Sequence, residues 1–406
     1  MERGLRVTVD RSTWPTPPAL PAYPPAFGTS PTEWDLSIPA LLLTIGYLTT
    51  PSYASGVSLS EFWAWVRYLH AVAEDPDLRL TKAFFELDPH QKTILSDDFG
   101  MGVPIYWLMG KLNIATIADG RYFIDRIAAS VGAVSAKPKK RGPGKSPDFV
   151  ARDVNGIWHI IECKGTQTSG GYREAQLGSS GPPATGAIAQ KRTIQFPPGH
   201  SGQRLASGLY IGVEGSAHAS GLHIIDPPAA DDFKVTEDQM VFADDAIARA
   251  VGARSLRLAG FPEASSALSA PTGRYPNSRP SQGRQEEMRR ETVAAKRARA
   301  EEELRTRSDR ERFSSRGEIY RGRKAEIALP APVWIGRRSA SSIIVRYGMG
   351  VKFLDELRGR PLSDDLIQEA IPAFRDLQPG TTLDSDARGA RLRIGQSFIA
   401  DIDFRR

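Results

Sequence analysis

Apolar positions recur at helical spacing early in the chain and at strand spacing through its middle. Leu41, Leu42, Ile45 and Leu48, then Phe62, Trp63, Trp65, Val66 and Leu69, fall three or four residues apart and predict two helices within residues 36–75. Their tryptophans read as core residues sooner than as base-stacking platforms. Ser96 is a good N-cap, and the largely apolar run Val103–Leu112 beyond it predicts a helix near 98–112. Arg121–Ile124 reads as a short strand. Ile157, Trp158, Ile160 and Ile161 form an apolar run across an Asn155-Gly156 pair from the preceding segment, a tight β-hairpin with positive φ expected at both turn residues. The runs LASGLYIGV (Leu205–Val213) and GLHII (Gly221–Ile225) predict strands that extend the same sheet.

The flanks have other patterns. Residues 1–34 carry seven prolines between Pro15 and Pro31 and predict an extended arm lying over the body. Residues 264–284 are rich in Ser, Pro, Gly and Arg and read as a flexible linker. The segment after it has few large apolar residues and many charges at i, i+4 spacing, which predicts a solvent-exposed helix. Apolar clusters at Ile327–Ile335 and Ile343–Val345, a helical VKFLDEL and the closing RLRIGQSFIADIDF predict further strands and one helix. The division is a Pro-rich arm (1–34), a helical region packed on the core (35–90), an α/β core (91–263), a linker with a charged helix (264–315) and a C-terminal α/β region (316–406).

Composition narrows the class. A chain of 406 residues, 40% hydrophobic and 25% charged, can bury one large core or two to three small ones. No run of about eighteen apolar residues occurs, which excludes a membrane-spanning helix. The N-terminus lacks an apolar signal core, and a single cysteine allows no internal disulfide, so a cytoplasmic location is expected. The formal net charge of +6 is unevenly spread. Lys137, Lys139, Lys140, Arg141 and Lys145 stand against Asp148 alone within residues 131–150. This loop either holds a phosphate backbone or is a solvated lysine surface. Residues 271–330 hold sixteen Lys or Arg against ten Asp or Glu, and fit a nucleic-acid-contacting arm or an inert helix equally well. His218 and His223 have no Cys or third His at ligand spacing and read as structural or surface residues.

The chemistry concentrates between Ser146 and Thr166, SPDFVARDVNGIWHIIECKGT. Glu162 and Lys164 are two apart on one predicted strand, so both side chains leave the same face. A hairpin that sets Asp148 beside Glu162 makes a two-carboxylate cation site with an ammonium next to it. Phosphodiester hydrolysis needs those parts: hard oxygen ligands for a divalent ion, and a cation near the attacking water or the developing charge. Between them, Cys163 directs its side chain to the core and offers its backbone carbonyl as the atom nearest a metal. The plainer alternative is a hairpin whose Glu162 and Lys164 form a solvated pair.

Pro147-Asp148, followed after thirteen residues by Glu162-Cys163-Lys164, resembles the signature of the PD-(D/E)xK nuclease superfamily over roughly residues 90–225. The resemblance implies a restriction-endonuclease-like fold: an α/β chain with a mixed β-sheet core flanked by helices, here with an N-terminal helical region and a C-terminal α/β extension. It implies Mg²⁺ or Mn²⁺ held by Asp148, Glu162 and the Cys163 carbonyl, with Lys164 as the catalytic cation. The short helix after the Glu-x-Lys strand commonly directs a Gln or Lys back to the metal site. Gln190 matches that assisting position, and Lys191 joins the basic loop as a nucleic-acid contact. An acidic residue often stands in the preceding helix; Asp97 and Asp98 match it, though two acids in a helix's first turn also suit its dipole with no other role. The implied activity is a metal-dependent endonuclease acting on nucleic acid, most simply DNA, in bacterial restriction or anti-phage defence, with a homodimer or a defence-system protein as the protein partner. An inactive nucleic-acid-binding module on the same fold, or a helical scaffold protein, are the competing readings. Intact Asp148, Glu162 and Lys164 favour the enzyme.

Overall fold

Seven strands form the central sheet of the computed structural model, which describes residues 1–52, 68–130, 146–181, 183–191, 194–227, 233–269, 283–306, 310–335, 338–359, 380–386 and 388–406. In chain order they are β1 (Glu2–Val9), β2 (Thr32–Ser37), β3 (Ile114–Asp119), β4 (Phe149–Asp153), β5 (Trp158–Thr166), β6 (Ser201–Tyr210) and β7 (Gly221–Ile225). They lie side by side as β2-β1-β7-β6-β5-β4-β3. The sheet is mixed: β1 runs parallel to β7 and β5 parallel to β6, while the other neighbours are antiparallel. Helices flank it, so the fold is mixed α/β as expected.

The N-terminal segment departs from the expected arm. Leu5, Val7 and Val9 alternate with more exposed residues and are buried, so Glu2–Val9 forms a strand inside the central sheet. Proline content concealed that alternation. The strand expected at Arg121–Ile124 is instead part of helix α3 (Gly120–Ser130), where Tyr122 and Phe123 are both fully buried. A short apolar run does not distinguish the two states by itself.

Two further helices bear on the site. Helix α1 (Ile38–Leu48) is buried along its whole length, between the long helix that begins at Pro89 and the C-terminal strands. Helix α2 (Pro89–Leu112) starts well before the expected 98: Asp88 Oδ1 accepts the N–H groups of His90 and Gln91, and Pro89 occupies the first turn. Ser96 is therefore an interior residue whose hydroxyl donates to Lys92 O at 2.7 Å, and not a cap. After β5 come α4 (Gly170–Leu177) and α5 (Gly186–Lys191), which pack on β5 and β6, then α6 (Met240–Leu258) and α7 (Pro262–Ser269). Residues 264–269 of the expected linker thus belong to a buried helix.

The charged segment forms α8 (Arg284–Arg305), exposed over most of its length but anchored near its end by buried Ala300 and Leu304. Glu303 there accepts the Ala264 N–H at 2.8 Å. Among the described residues, the C-terminal region is a six-stranded antiparallel sheet with one helix, α9 (Val351–Arg358). Its strands are β8 (Glu311–Ser315), β9 (Glu318–Ile335), β10 (Arg338–Gly350), β11 (Thr381–Asp386), β12 (Gly389–Ile394) and β13 (Phe398–Arg405), ordered β8-β9-β10-β13-β12-β11. Phe62, Trp63, Trp65 and Val66 lie outside the described residues.

Candidate active site

The β4–β5 hairpin forms, with a different turn from the one expected. Gly156 has φ +83°, but Asn155 does not have positive φ. Asp153 Oδ1 accepts the N–H groups of Asn155 and Ile157, each at 2.8 Å, and the backbone of Asp153 bonds Ile157 and Gly156. The loop is Val154-Asn155-Gly156, with glycine alone in the left-handed position. An aspartate side chain, not the Asn-Gly pair, sets its geometry.

This hairpin brings the predicted residues together at the end of β4. Ladder pairing runs as far as Phe149 opposite Ile161. Beyond it, Asp148 and β5 bind each other reciprocally: Asp148 N–H donates to Glu162 Oε2 at 3.1 Å, and Cys163 N–H donates to Asp148 Oδ2 at 2.8 Å. Lys164 Nζ donates to Glu162 Oε1 and stands 4.0 Å from Asp148 Oδ2. One ammonium therefore reaches both carboxylates. Glu162 has no exposed surface, while the Lys164 and Asp148 side chains keep 24% and 29% of theirs, so the cluster is rooted in the core and open on one side.

Cys163 behaves as expected of its side chain. It is buried in the main hydrophobic core, with its sulfur 3.5 Å from Ser207 Oγ. The same hydroxyl donates to Glu162 O at 3.0 Å, which ties β5 to β6 behind the carboxylate. In an extended strand the N–H and C=O of one residue leave by the same edge. The Cys163 carbonyl accordingly lies on the edge where its N–H meets Asp148.

Helix α2 reaches this cluster because two glycines let backbone touch backbone. A Cβ on Gly165 would stand 1.8 Å from Ser96 O, and one on Gly100 would stand 2.5 Å from Gly165 N. Asp97, next to Ser96, thereby comes within electrostatic range of Lys164 and Asp148. With the helix starting at Pro89, Asp97 and Asp98 lie in its interior, and the dipole explanation for them falls away. Asp98 accepts a hydrogen bond from Tyr68 OH. Burial raises its pKa to about 6, a shift that the Tyr68 hydroxyl opposes and the Asp97 charge increases.

Electrostatically the cluster is short of positive charge. Burial, then the charge of Asp148, push Glu162 well above the usual carboxylate range, against the pull of Lys164. Burial raises Asp148 and Asp97 as well. Burial alone would lower Lys164, but Glu162 and Asp148 reverse this and raise it, so the amine stays protonated at neutral pH. Two close carboxylates and a third nearby, against one ammonium, form an oxygen donor set that a hard divalent cation would relieve. Among the described residues no group of three or more His, Cys, Asp and Glu is arranged to hold a metal. Asp148 and Glu162 would thus give two side-chain ligands and leave the rest of the shell to main chain, water or phosphate, an arrangement that suits Mg²⁺.

Gln190 is a half-buried residue of α5. Lys191 is not available to nucleic acid. It is fully buried, and Nζ donates to Asp226 Oδ1 at 2.8 Å, Arg204 O at 2.6 Å and Pro227 O at 2.7 Å, which uses all three of its protons. Lys137, Lys139, Lys140, Arg141 and Lys145 lie outside the described residues. His223 is tied to Glu174 at 2.9 Å, in keeping with a structural role. No described helix is long and apolar enough to cross a membrane. Comparisons with protein-family models, with curated proteins and with solved structures find no match for this chain.

Proposed function

We propose that the chain is a divalent-metal-dependent endonuclease that hydrolyses phosphodiester bonds in DNA, on a restriction-endonuclease-like core of the PD-(D/E)xK kind. The observation that carries this reading is the meeting of Asp148, Glu162 and Lys164 at one open-sided point. Strand alternation gives the Glu162–Lys164 pair, and the reciprocal bonds between Asp148 and β5 fix the third member. A solvated surface pair is a poor account of Glu162, which has no exposed surface and sits against a second carboxylate.

In this reading Asp148, Glu162 and the Cys163 carbonyl would hold Mg²⁺ or Mn²⁺. The bound ion supplies Lewis acidity toward a phosphoryl oxygen and a more acidic bound water. Lys164, held protonated by the two carboxylates, acts as a placed cation rather than as a base. It orients the nucleophile and offsets charge gathering on phosphate. Asp97 stands at the rim as a further carboxylate that can bond water at the site. The basic residues Lys137–Lys145 remain the candidate phosphate contacts, and a cytoplasmic role in restriction or anti-phage defence fits the same chemistry.

The test is incubation of the purified protein with plasmid and single-stranded DNA in Mg²⁺, Mn²⁺ or EDTA. Nicking that needs the metal and disappears in Asp148→Ala is expected. Its complete absence, with a folded protein that still binds DNA, would favour an inactive binding module on the same fold.

A further inference from the structure

The C-terminal sheet carries a cavity with no part in the proposed nuclease chemistry. Strands β8 and β11 are the two edges of that sheet, yet its ends meet. Arg316, in the turn between β8 and β9, sets Nη2 3.1 Å from Asp384 Oδ2 on β11, and Arg393 Nη2 on β12 donates to Ser315 O of β8 at 3.3 Å. The sheet is therefore curled nearly closed. At one end of the inner face Phe313 and Tyr320 stack and cover Gly348. Toward the other end the same face turns polar, and pairing aligns Arg346, Asp401, Arg391 and Asp384 in one row across four strands. The cavity at this mouth measures about 450 Å³, inside the range of roughly 300–1,000 Å³ usual for small-molecule sites, and barrel mouths are a recurrent place for them.

Charges in the mouth are only partly matched. Asp401 holds Arg346 at 3.0 Å and Asp384 holds Arg316, while Asp403 is taken by Arg405 at 2.6 Å. Asp386 accepts the backbone N–H groups of Arg388 and Gly389. Among the described residues, Arg388 and Arg391, both lining the cavity, make no ion pair. Among the described residues the Nε of Arg391 is buried without a hydrogen-bond partner, and the Arg391 charge acts on the facing Asp401. Two guanidiniums on the cavity wall outside any ion pair offer donors to an oxyanion with several acceptor atoms.

We propose that this mouth binds the phosphate of a nucleotide. Arg388 and Arg391 take the phosphate oxygens, and the rim acceptors Asp384 and Ser385 face the sugar hydroxyls or base amino groups. A free nucleotide and the phosphorylated end of a nucleic-acid strand share this chemistry. The cavity's volume favours the free nucleotide.

Calorimetric titration of the full chain separates these cases, using AMP, ATP, adenosine, inorganic phosphate and one oligonucleotide with and without a 5′-phosphate. Saturable binding of AMP or ATP and none of adenosine is expected. Arg388→Gln, at an exposed position that leaves folding intact, should weaken binding roughly 10- to 100-fold, and Arg388→Gln with Arg391→Gln should weaken it further. Lys164→Ala should leave it unchanged, which separates this site from the nuclease centre. Tighter binding of the 5′-phosphorylated oligonucleotide, with the same dependence on Arg388, would assign the site to strand ends. No saturable binding by any phosphate-bearing probe, or affinity that ignores Arg388 and Arg391, would overturn the proposal.

Discussion

Lys164 and Lys191 stand against the same central sheet, 27 positions apart in sequence, and their surroundings are opposite in kind. Lys191 is sealed: one ammonium meets one carboxylate and two main-chain carbonyls, and no surface remains. Lys164 keeps 24% of its side-chain surface and faces two carboxylates, with Asp97 nearby. In the first region the ammonium has a buried carboxylate beside it and all three of its protons are used, the pattern of a structural pair. In the second, acid is in excess and one side is open, which leaves a place for a cation and a substrate. Acceptor count and access, more than residue type, distinguish the two lysines.

The largest effect should come from the sealed region. Lys191→Ala leaves Asp226 buried without its partner, and breaking such a pair costs about 3–5 kcal/mol. Denaturant unfolding should show a loss of that size, with DNA affinity unaltered in the protein that remains folded. A stable variant with weakened DNA binding would return Lys191 to the nucleic-acid surface and erase the comparison.

A smaller effect tests the acid excess. Asp98 has a folded pKa of about 6, raised by burial from 3.8. The folded state therefore keeps a proton that the unfolded state releases, so stability falls as pH rises from about 4 to about 6. Asp98→Asn removes that penalty while keeping an acceptor for Tyr68. It should raise stability at pH 7 by up to about 3 kcal/mol, by the usual 1.4 kcal/mol per pKa unit. Thermal melts across pH 4–8 check this. A variant no more stable than the parent at pH 7 would mean that the carboxylate is not strained there.

Much of the site could be read from sequence because it is local. Glu162 and Lys164 share a face by strand period alone, and the hairpin needed only a glycine between two apolar runs. What failed was long-range or masked by a stronger signal. The acceptors that seal Lys191 come from Arg204, Asp226 and Pro227, which no local pattern joins to it. The start of α2 was written in Asp88-Pro89, but its first turns lack apolar periodicity, so Ser96 drew the boundary and placed Asp97 in the wrong turn. Gly100 and Gly165 were the available clue, since glycine in a helix facing glycine after a strand marks a close approach. The alternation of Leu5, Val7 and Val9 was present but overshadowed by the prolines after it. The curl of the C-terminal sheet depends on Arg316 reaching Asp384, a contact between distant hairpins that strand patterns do not contain.

The most direct test of the account is the single-turnover cleavage rate of Lys164→Ala, measured with Mg²⁺ on DNA at saturating protein and set beside its DNA affinity and melting temperature. Glu162 loses its ammonium but keeps the Asp148 N–H, so the variant should be less stable yet folded, and substrate binding should persist. The rate should fall roughly 10²–10³-fold, the usual cost of removing one placed charge or donor from a transition state. A well-folded Lys164→Ala protein that cleaves at the parent rate would contradict the assignment of this cluster as the active site.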